Sequence, residues 1–315
     1  MRPFLACTLA LCGLALGSAT ARAGTADTPS TAQILKASKA AEWHALDPAR
    51  TLYMDLPSGR VVIELAPSWS PAHVDNLKTL VRERYFDGTS VYRVVDNFVA
   101  QWGDPHGDDP AKAKSMGTAN KTLPPEFVRR VHGALPFVRL DSPDAYAPVV
   151  GFSGDSPVGR DPASHTAWIA HCYGTVGVAR DVAPDSGNAN TLYAVIGNAR
   201  RIDRNLAVVG RVVYGMPLLS ALPRGPKDNM GVYRDLARAT PILRVRLASE
   251  LPASQRLPLE VLRSDSASFH RLVQAMAHRH DAFYRVSPGH IGLCAVLPPV
   301  RLRPAKRASG KAHGA

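Results

Sequence analysis

A mainly β fold, arranged as an antiparallel barrel, is predicted for this chain by three observations. Short runs rich in Val, Ile, Leu and aromatic residues recur between Gly, Pro, Asp and Asn turn signals. Only a few stretches carry a helical apolar period, and no fixed-period repeat is visible. The hydrophobic fraction is 45% against 20% charged, which suits a folded chain, and 315 residues allow one large domain or two small ones.

The first residues read as a targeting signal. Arg2 is the only charge before an apolar run over 4–16, and Ala21-Arg22-Ala23 has small residues where cleavage is expected. The run is too short to span a bilayer. Cleavage after Ala23 is expected to leave a periplasmic protein with no transmembrane anchor and to remove Cys7 and Cys12. A lipoprotein signal on Cys12 is the rival, disfavoured by bulky Leu11 where a small residue is wanted. The net charge of +12 falls by two on cleavage, because Arg2 and Arg22 leave with no acid. The remaining arginines are scattered among acids without a basic-aromatic stripe, so a solvated basic surface is expected and not a nucleic-acid partner.

A polar leader over 24–30 precedes STAQILKASKAAEW at 30–43, which reads as a helix with capping-box spacing at Ser30 and Gln33. Residues 51–56 and 60–65 are strand runs around Pro57-Ser58-Gly59, a hairpin signal. Ser70-Pro71 starts a helix with a capping serine and proline at its first position, and Val74, Leu77, Leu80 and Val81 share one face. Asp87-Gly88 is a turn, and residues 91–95 and 98–102 are strands folded back at Asp96-Asn97.

From 104 to 164 periodicity is poor and Gly, Pro, Asp and Ser are frequent, so a long loop region with short structured pieces such as 135–140 is expected. Strands return at 167–170, 175–179, 192–196, 206–213 and 242–247, with a short helix at 216–222. Beyond 249 a helix is predicted over 269–283, then a segment at 291–296 containing Cys294. The tail RLRPAKRASGKAHGA, 301–315, has five basic residues and no acid and is expected to be disordered.

Arg93 lies in a strand of valines and either reaches solvent or points into a cleft. The turn at Asp96-Asn97 brings Phe98 and Gln101 near it, within one residue of register. A cation, a ring and an amide on adjacent strands suit a site that binds an amide bond. Cys172 and Cys294 are the mature chain's two cysteines, and in an oxidising compartment a bridge is expected, with two buried thiols as the alternative. His171-Cys172 with His165, or with His290 and Cys294, matches no tight metal spacing, and no metal or cofactor is expected. Asp104, Asp108 and Asp109 lack calcium-loop spacing, and neither a Gly-x-Ser-x-Gly elbow nor a phosphate loop is present.

VVIELAPSWSPAHVDNLKTLVRERYFDG and VYRVVDNFVAQWGDP, followed later by GTVGVARDVAPDSGNANTLYAVIGNARRIDRNLAVVGRVVYGMPLL, resemble a bacterial-type cyclophilin, a peptidyl-prolyl cis-trans isomerase. The likeness covers roughly 51–128 and 174–247. It implies an eight-stranded antiparallel barrel with two flanking helices and a peptide groove on its outer face. On that likeness Arg93, Phe98 and Gln101 fall on the family's catalytic positions, and Val99, Ala179, Tyr193, Ile202 and Leu206 on its substrate-binding ones. Tyr193 stands where phenylalanine is usual, Leu206 where histidine or tyrosine is common, Arg201 where an aromatic is frequent, and Trp102 in place of a glycine. Asn190-Thr191 stand for the usual Ser-Gln, with one extra residue upstream.

The implied organisation is a signal peptide (1–23), an N-terminal helical extension (24–50), a cyclophilin-like domain (51–248) with an insertion at 128–173, a C-terminal α/β extension (249–300) and the basic tail. A bridge between Cys172 and Cys294 would join insertion and extension into one composite fold. The expected function is isomerisation of X-Pro bonds in exported proteins, by a monomer. The alternatives are a catalytically weak peptide-binding chaperone module and an anionic-surface binder acting through the tail.

Overall fold

The computed structural model describes residues 29–304 apart from Asp108 and Ala282. The expected signal peptide with Cys7 and Cys12, and the tail from 305, lie outside the described residues. The strands are β1 Trp43–Ala45, β2 Thr51–Leu56, β3 Gly59–Leu65, β4 Ser90–Val94, β5 Val99–Gly103, β6 Arg129–Arg130, β7 Val138–Leu140, β8 Val149–Ser153, β9 Ser156–Asp161, β10 Thr166–Ile169, β11 Thr175–Val178, β12 Leu192–Val195, β13 Val208–Tyr214, β14 Thr240–Pro241, β15 Arg244–Leu247, β16 Leu259–Leu262 and β17 Val300–Leu302. The α-helices are α1 Thr31–Ala37, α2 Pro71–Arg82, α3 Met216–Ser220 and α4 Ala267–Ala277.

The main sheet runs β14-β4-β5-β12-β11-β13-β3-β2-β15, and every pairing in it is antiparallel. Its two edges belong to one continuous run of chain. Ile242 bonds Thr89 and Gly88 on one side, while the Leu243 amide donates to the Asp55 carbonyl on the other. Counted as one strand, β14 and β15 therefore close an eight-stranded barrel, which leaves no open edge. Inward residues of alternate positions, among them Met54, Val61, Ile63, Val94, Trp102, Val176 and Val209, fill its interior with Leu77 and Leu80 of α2 and Leu219 of α3.

Ser70 does not cap α2 with its side chain; its hydroxyl donates to the Val208 carbonyl at 2.6 Å and ties the helix start to the barrel. Glu126 takes the capping role. Its carboxylate accepts from the Ala72 and His73 amides at 3.1 and 3.0 Å, where the helix dipole favours an anion.

The region expected to be mostly loop contains a second antiparallel sheet, in the order β6-β10-β9-β8-β7. Its strands are short and interrupted by Pro157 and Gly159, so no alternation marks them. A third sheet, β1-β16-β17, joins the N-terminal segment to the C-terminal extension. Because Arg301 and Leu302 belong to β17, the start of the expected tail is paired strand and not frayed chain.

The N-terminal helix is also shorter than expected. Its capping box at Ser30 and Gln33 forms, but Ser38 ends it by bonding the Leu35 carbonyl and accepting the Trp43 indole NH. The C-terminal helix stops at Ala277, not 283. Ile34, Trp43, Leu140, Phe152, Trp168, Phe269, Leu272 and Leu293 make a second core shared by insertion and both extensions.

Cys172 and Cys294 form a disulfide across that core, 122 residues apart in sequence. Closing so long a loop lowers the entropy of the unfolded chain. Replacing both cysteines by serine is expected to cost about 2–4 kcal/mol of stability in denaturant unfolding. Indistinguishable midpoints for the two proteins under oxidising conditions would contradict this role.

At the junction of barrel, insertion and N-terminal strand, His44 Nε2 lies 2.9 Å from Asp155 Oδ2. The hydrogen bond to Asp155 raises the His44 pKa above the ordinary histidine value. Its stabilisation is therefore complete below the unfolded pKa, about 6.5, and is lost as pH rises through the higher folded value. The melting-temperature gap between wild type and His44→Gln should narrow on going from acidic to alkaline pH. A gap that widens would overturn the assignment.

Candidate active site

Strands β4 and β5 place Arg93 opposite Gln101, across a β-bulge that follows Val91. Their turn needs Asn97 at φ 49°, a left-handed conformation that asparagine tolerates. Arg93 is half-buried. Its Nη1 donates to Gln101 Oε1 and its Nε to the Met230 carbonyl, both at 2.8 Å. Gln101 Nε2 in turn donates to the Tyr92 hydroxyl at 3.0 Å. The guanidinium is thus aimed by two neutral acceptors, one of them held in turn by Tyr92. Burial lowers the Arg93 pKa from its ordinary value, but arginine remains charged at any physiological pH.

Beside Arg93 opens a cavity of about 130 Å³ lined by Phe98, Val99, Gln101, Ala179, Arg180, Tyr193, Ile202 and Leu206. All eight substrate and catalytic positions expected from sequence meet here. The volume is comparable to that of an apolar cavity able to take a benzene ring, ~150 Å³. Phe98, Val99, Ala179, Tyr193, Ile202 and Leu206 also pack as one apolar cluster with Val195 and Ala199. Trp102 faces the other way and is buried in the barrel interior, so the bulk that replaces glycine does not enter the groove.

Tyr193 forms the buried wall, paired with Gln101 across β12 and β5. Its ring lies against Gly177 of β11; a Cβ there would sit 2.2 Å from the hydroxyl oxygen, so only glycine allows this approach. The hydroxyl meets His171 Nε2 at 2.9 Å, and burial pushes the phenol pKa well above 10.0. His171 Nδ1 faces Asp203 Oδ1 at 3.0 Å, and the His171 amide donates to the same oxygen at 2.9 Å. The carboxylate accepts from Nδ1, which turns Nε2 toward the Tyr193 hydroxyl.

Asp203 Oδ2 accepts from Arg200 Nε at 2.6 Å and from the Trp168 indole at 3.3 Å. Arg200 also grips Asp144 of the insertion with two hydrogen bonds, at 2.8 and 2.9 Å. Burial opposes the charge on Asp203, but the His171 hydrogen bond and Arg200 outweigh it and hold its pKa below the usual carboxylate range. This network anchors the turn Arg200–Ile202, hence Ile202 of the groove wall, to the insertion. Sequence reasoning missed His171, Arg200, Asp203 and Asp144. The available signal was Tyr193 itself, since a buried hydroxyl demands a partner.

A larger cleft of about 240 Å³ lies elsewhere, at the junction lined by His44, Glu64, Asp155 and Arg211. His44, Glu64 and Asp155 are the one group among the described residues that could hold a cation, with ligand atoms within 4.8 Å of one another. The Arg211 guanidinium lies 3.5 Å from Glu64 and His44 already bonds Asp155, so the group's charges are balanced internally. His171 is engaged in the Tyr193–Asp203 network, and the sulfurs of Cys172 and Cys294 bond each other.

The sequence profile of the family described as "Cyclophilin type peptidyl-prolyl cis-trans isomerase/CLD" matches residues 51–247. A probable peptidyl-prolyl cis-trans isomerase of Brucella suis is 28% identical over 197 residues, which is 61% of this chain and 80% of that protein. A peptidyl-prolyl cis-trans isomerase of Acinetobacter baylyi is 24% identical over 184 residues, 57% of this chain and 75% of that protein. Among solved structures, cyclophilin AquaCyp293 from Hirschia baltica superposes with a TM-score of 0.66 at 22% identity, covering 84% of this chain and 94% of that one. The shared fold therefore extends beyond the barrel into the added layers. With the profile spanning well over half its length, and a closed barrel carrying Arg93, Phe98 and Gln101 on one groove, the chain belongs to the cyclophilin-type peptidyl-prolyl cis-trans isomerases.

Proposed function

We propose that this cyclophilin isomerises X-Pro bonds of exported proteins in the periplasm, with Arg93 as the donor that stabilises the twisted amide. The observation that carries the chemistry is a charged guanidinium held by Gln101 and Met230 at the mouth of an apolar, proline-sized cavity. Periplasmic export rests on the N-terminal signal alone.

Rotation about the bond must overcome about 18–20 kcal/mol of amide resonance. As the bond twists, the nitrogen lone pair leaves conjugation and becomes a hydrogen-bond acceptor. A donor aimed at it binds the twisted amide more strongly than the planar one, which is the condition for acceleration. No nucleophile or general base is needed. Phe98, Val99 and Tyr193 hold the proline ring, Ala179, Ile202 and Leu206 complete the wall, and Gln101 both orients Arg93 and offers its amide to the substrate backbone.

The test is refolding of an exported protein whose slow phase is set by proline isomerisation, with catalytic amounts of the mature chain. A faster phase is expected; an unchanged one, with the cyclophilin folded, would defeat the enzymatic reading. A second reading, peptide binding with little turnover, is favoured by one observation: the Arg201 guanidinium lies 4.0 Å from the centre of the Phe98 ring. It predicts saturable peptide binding without the faster phase.

A further inference from the structure

We propose that the groove selects peptides bearing an acidic side chain beside the proline, an inference that rests on the isomerase reading of the same site. The cavity lining contains two guanidiniums, Arg93 and Arg180, and no carboxylate. A third, Arg201, stacks on Phe98 at the rim; it does not line the cavity, so it stands beside the proline position and not in it.

These three differ from the arginines that brace the fold, although Arg129 and Arg256 likewise bond only carbonyls. Arg60, Arg200, Arg211, Arg246 and Arg301 each pair with a carboxylate, through Asp55, Asp144 and Asp203, Glu64, Asp87 and Glu260. Arg93, Arg180 and Arg201 hydrogen-bond only to neutral oxygens. For Arg180 these are the carbonyls of Asn205, Asp181 and Val182, and for Arg201 the carbonyl of Asn198.

Among the described residues, no nearby carboxylate hydrogen-bonds to them. Asp203 is buried and saturated by His171, Arg200 and Trp168; Asp96 pairs with Arg224; Asp181 is exposed and its amide, not its carboxylate, is engaged with Ser186. Three positive charges around an apolar slot make a field that favours an anionic residue flanking the bound proline. Arg180 and Arg201 are held at defined positions by carbonyls and by the Phe98 ring, so little side-chain freedom is lost on pairing.

The experiment compares peptides of one frame with Glu, Gln or Lys immediately before or after the proline. Catalysed cis–trans exchange is measured by NMR with the mature protein at low and high salt. Glu peptides are expected to show kcat/KM about 5- to 20-fold above Lys peptides at low ionic strength, with Gln between and the spread collapsing in ~0.5 M salt. Arg201→Glu should reverse or abolish the Glu-over-Lys order. Equal rates for all three peptides would overturn the charge preference while leaving the isomerase reading intact. Should no peptide be turned over, the isomerase reading fails, and chemical-shift titration decides the preference: tighter binding of Glu than Lys peptides supports it, equal binding overturns it.

Discussion

Arg93→Ala is expected to lower kcat/KM for X-Pro isomerisation by about 10²- to 10³-fold, the usual loss when a single donor to the developing charge is removed. The cost should fall on turnover more than on peptide affinity, because the apolar slot of Phe98, Val99 and Tyr193 remains. Arg93→Lys should recover only part of the rate. It keeps a charge but cannot donate at once to the Met230 carbonyl, to Gln101 and to substrate as the fork of the guanidinium does. Steady-state exchange rates for the three proteins check this, with denaturant midpoints to show that the variants are folded. A rate within about threefold of wild type for Arg93→Ala would remove Arg93 from the chemistry.

Asp203→Ala is expected to destabilise the chain by about 3–5 kcal/mol, the usual loss when one partner of a buried charged network is removed. The His171 amide and imidazole and the Trp168 indole would lose their acceptor, and Arg200 would keep only Asp144. Because the Asp203 pKa is held below its unfolded value, its contribution is present at neutral pH and is lost only as pH falls through that depressed value. Activity should fall as well, since His171 would no longer be oriented to hold the Tyr193 hydroxyl. Urea unfolding at neutral pH measures the first effect. A loss under ~1 kcal/mol would mean that the network does not buttress the groove.

The barrel was legible because its strands carry regular apolar runs and its turns carry Asn97, Gly88 and Pro57 where the chain must reverse. The groove was legible in its near half, where Arg93, Phe98 and Gln101 lie within nine residues and one hairpin sets their geometry. What escaped has physical causes. The insertion's strands are short and broken by proline and glycine, so composition read as loop where five strands pair. The N-terminal helix carries an apolar run to Trp43, but Ser38 competes for the Leu35 carbonyl and ends it after two turns. The buttress of the far wall joins Asp144, His171 and Asp203, separated by up to 59 positions, and no local pattern announces such a meeting.

The measurement closest to the central claim is exchange NMR of a short Ala-Pro peptide, run with catalytic amounts of wild type and of Arg93→Ala. Accelerated cis–trans exchange by the wild type, and near-background exchange by the variant with peptide binding retained, is the expected result. Equal acceleration by both proteins would contradict the role of Arg93, and binding without acceleration by the wild type would contradict catalysis at this groove.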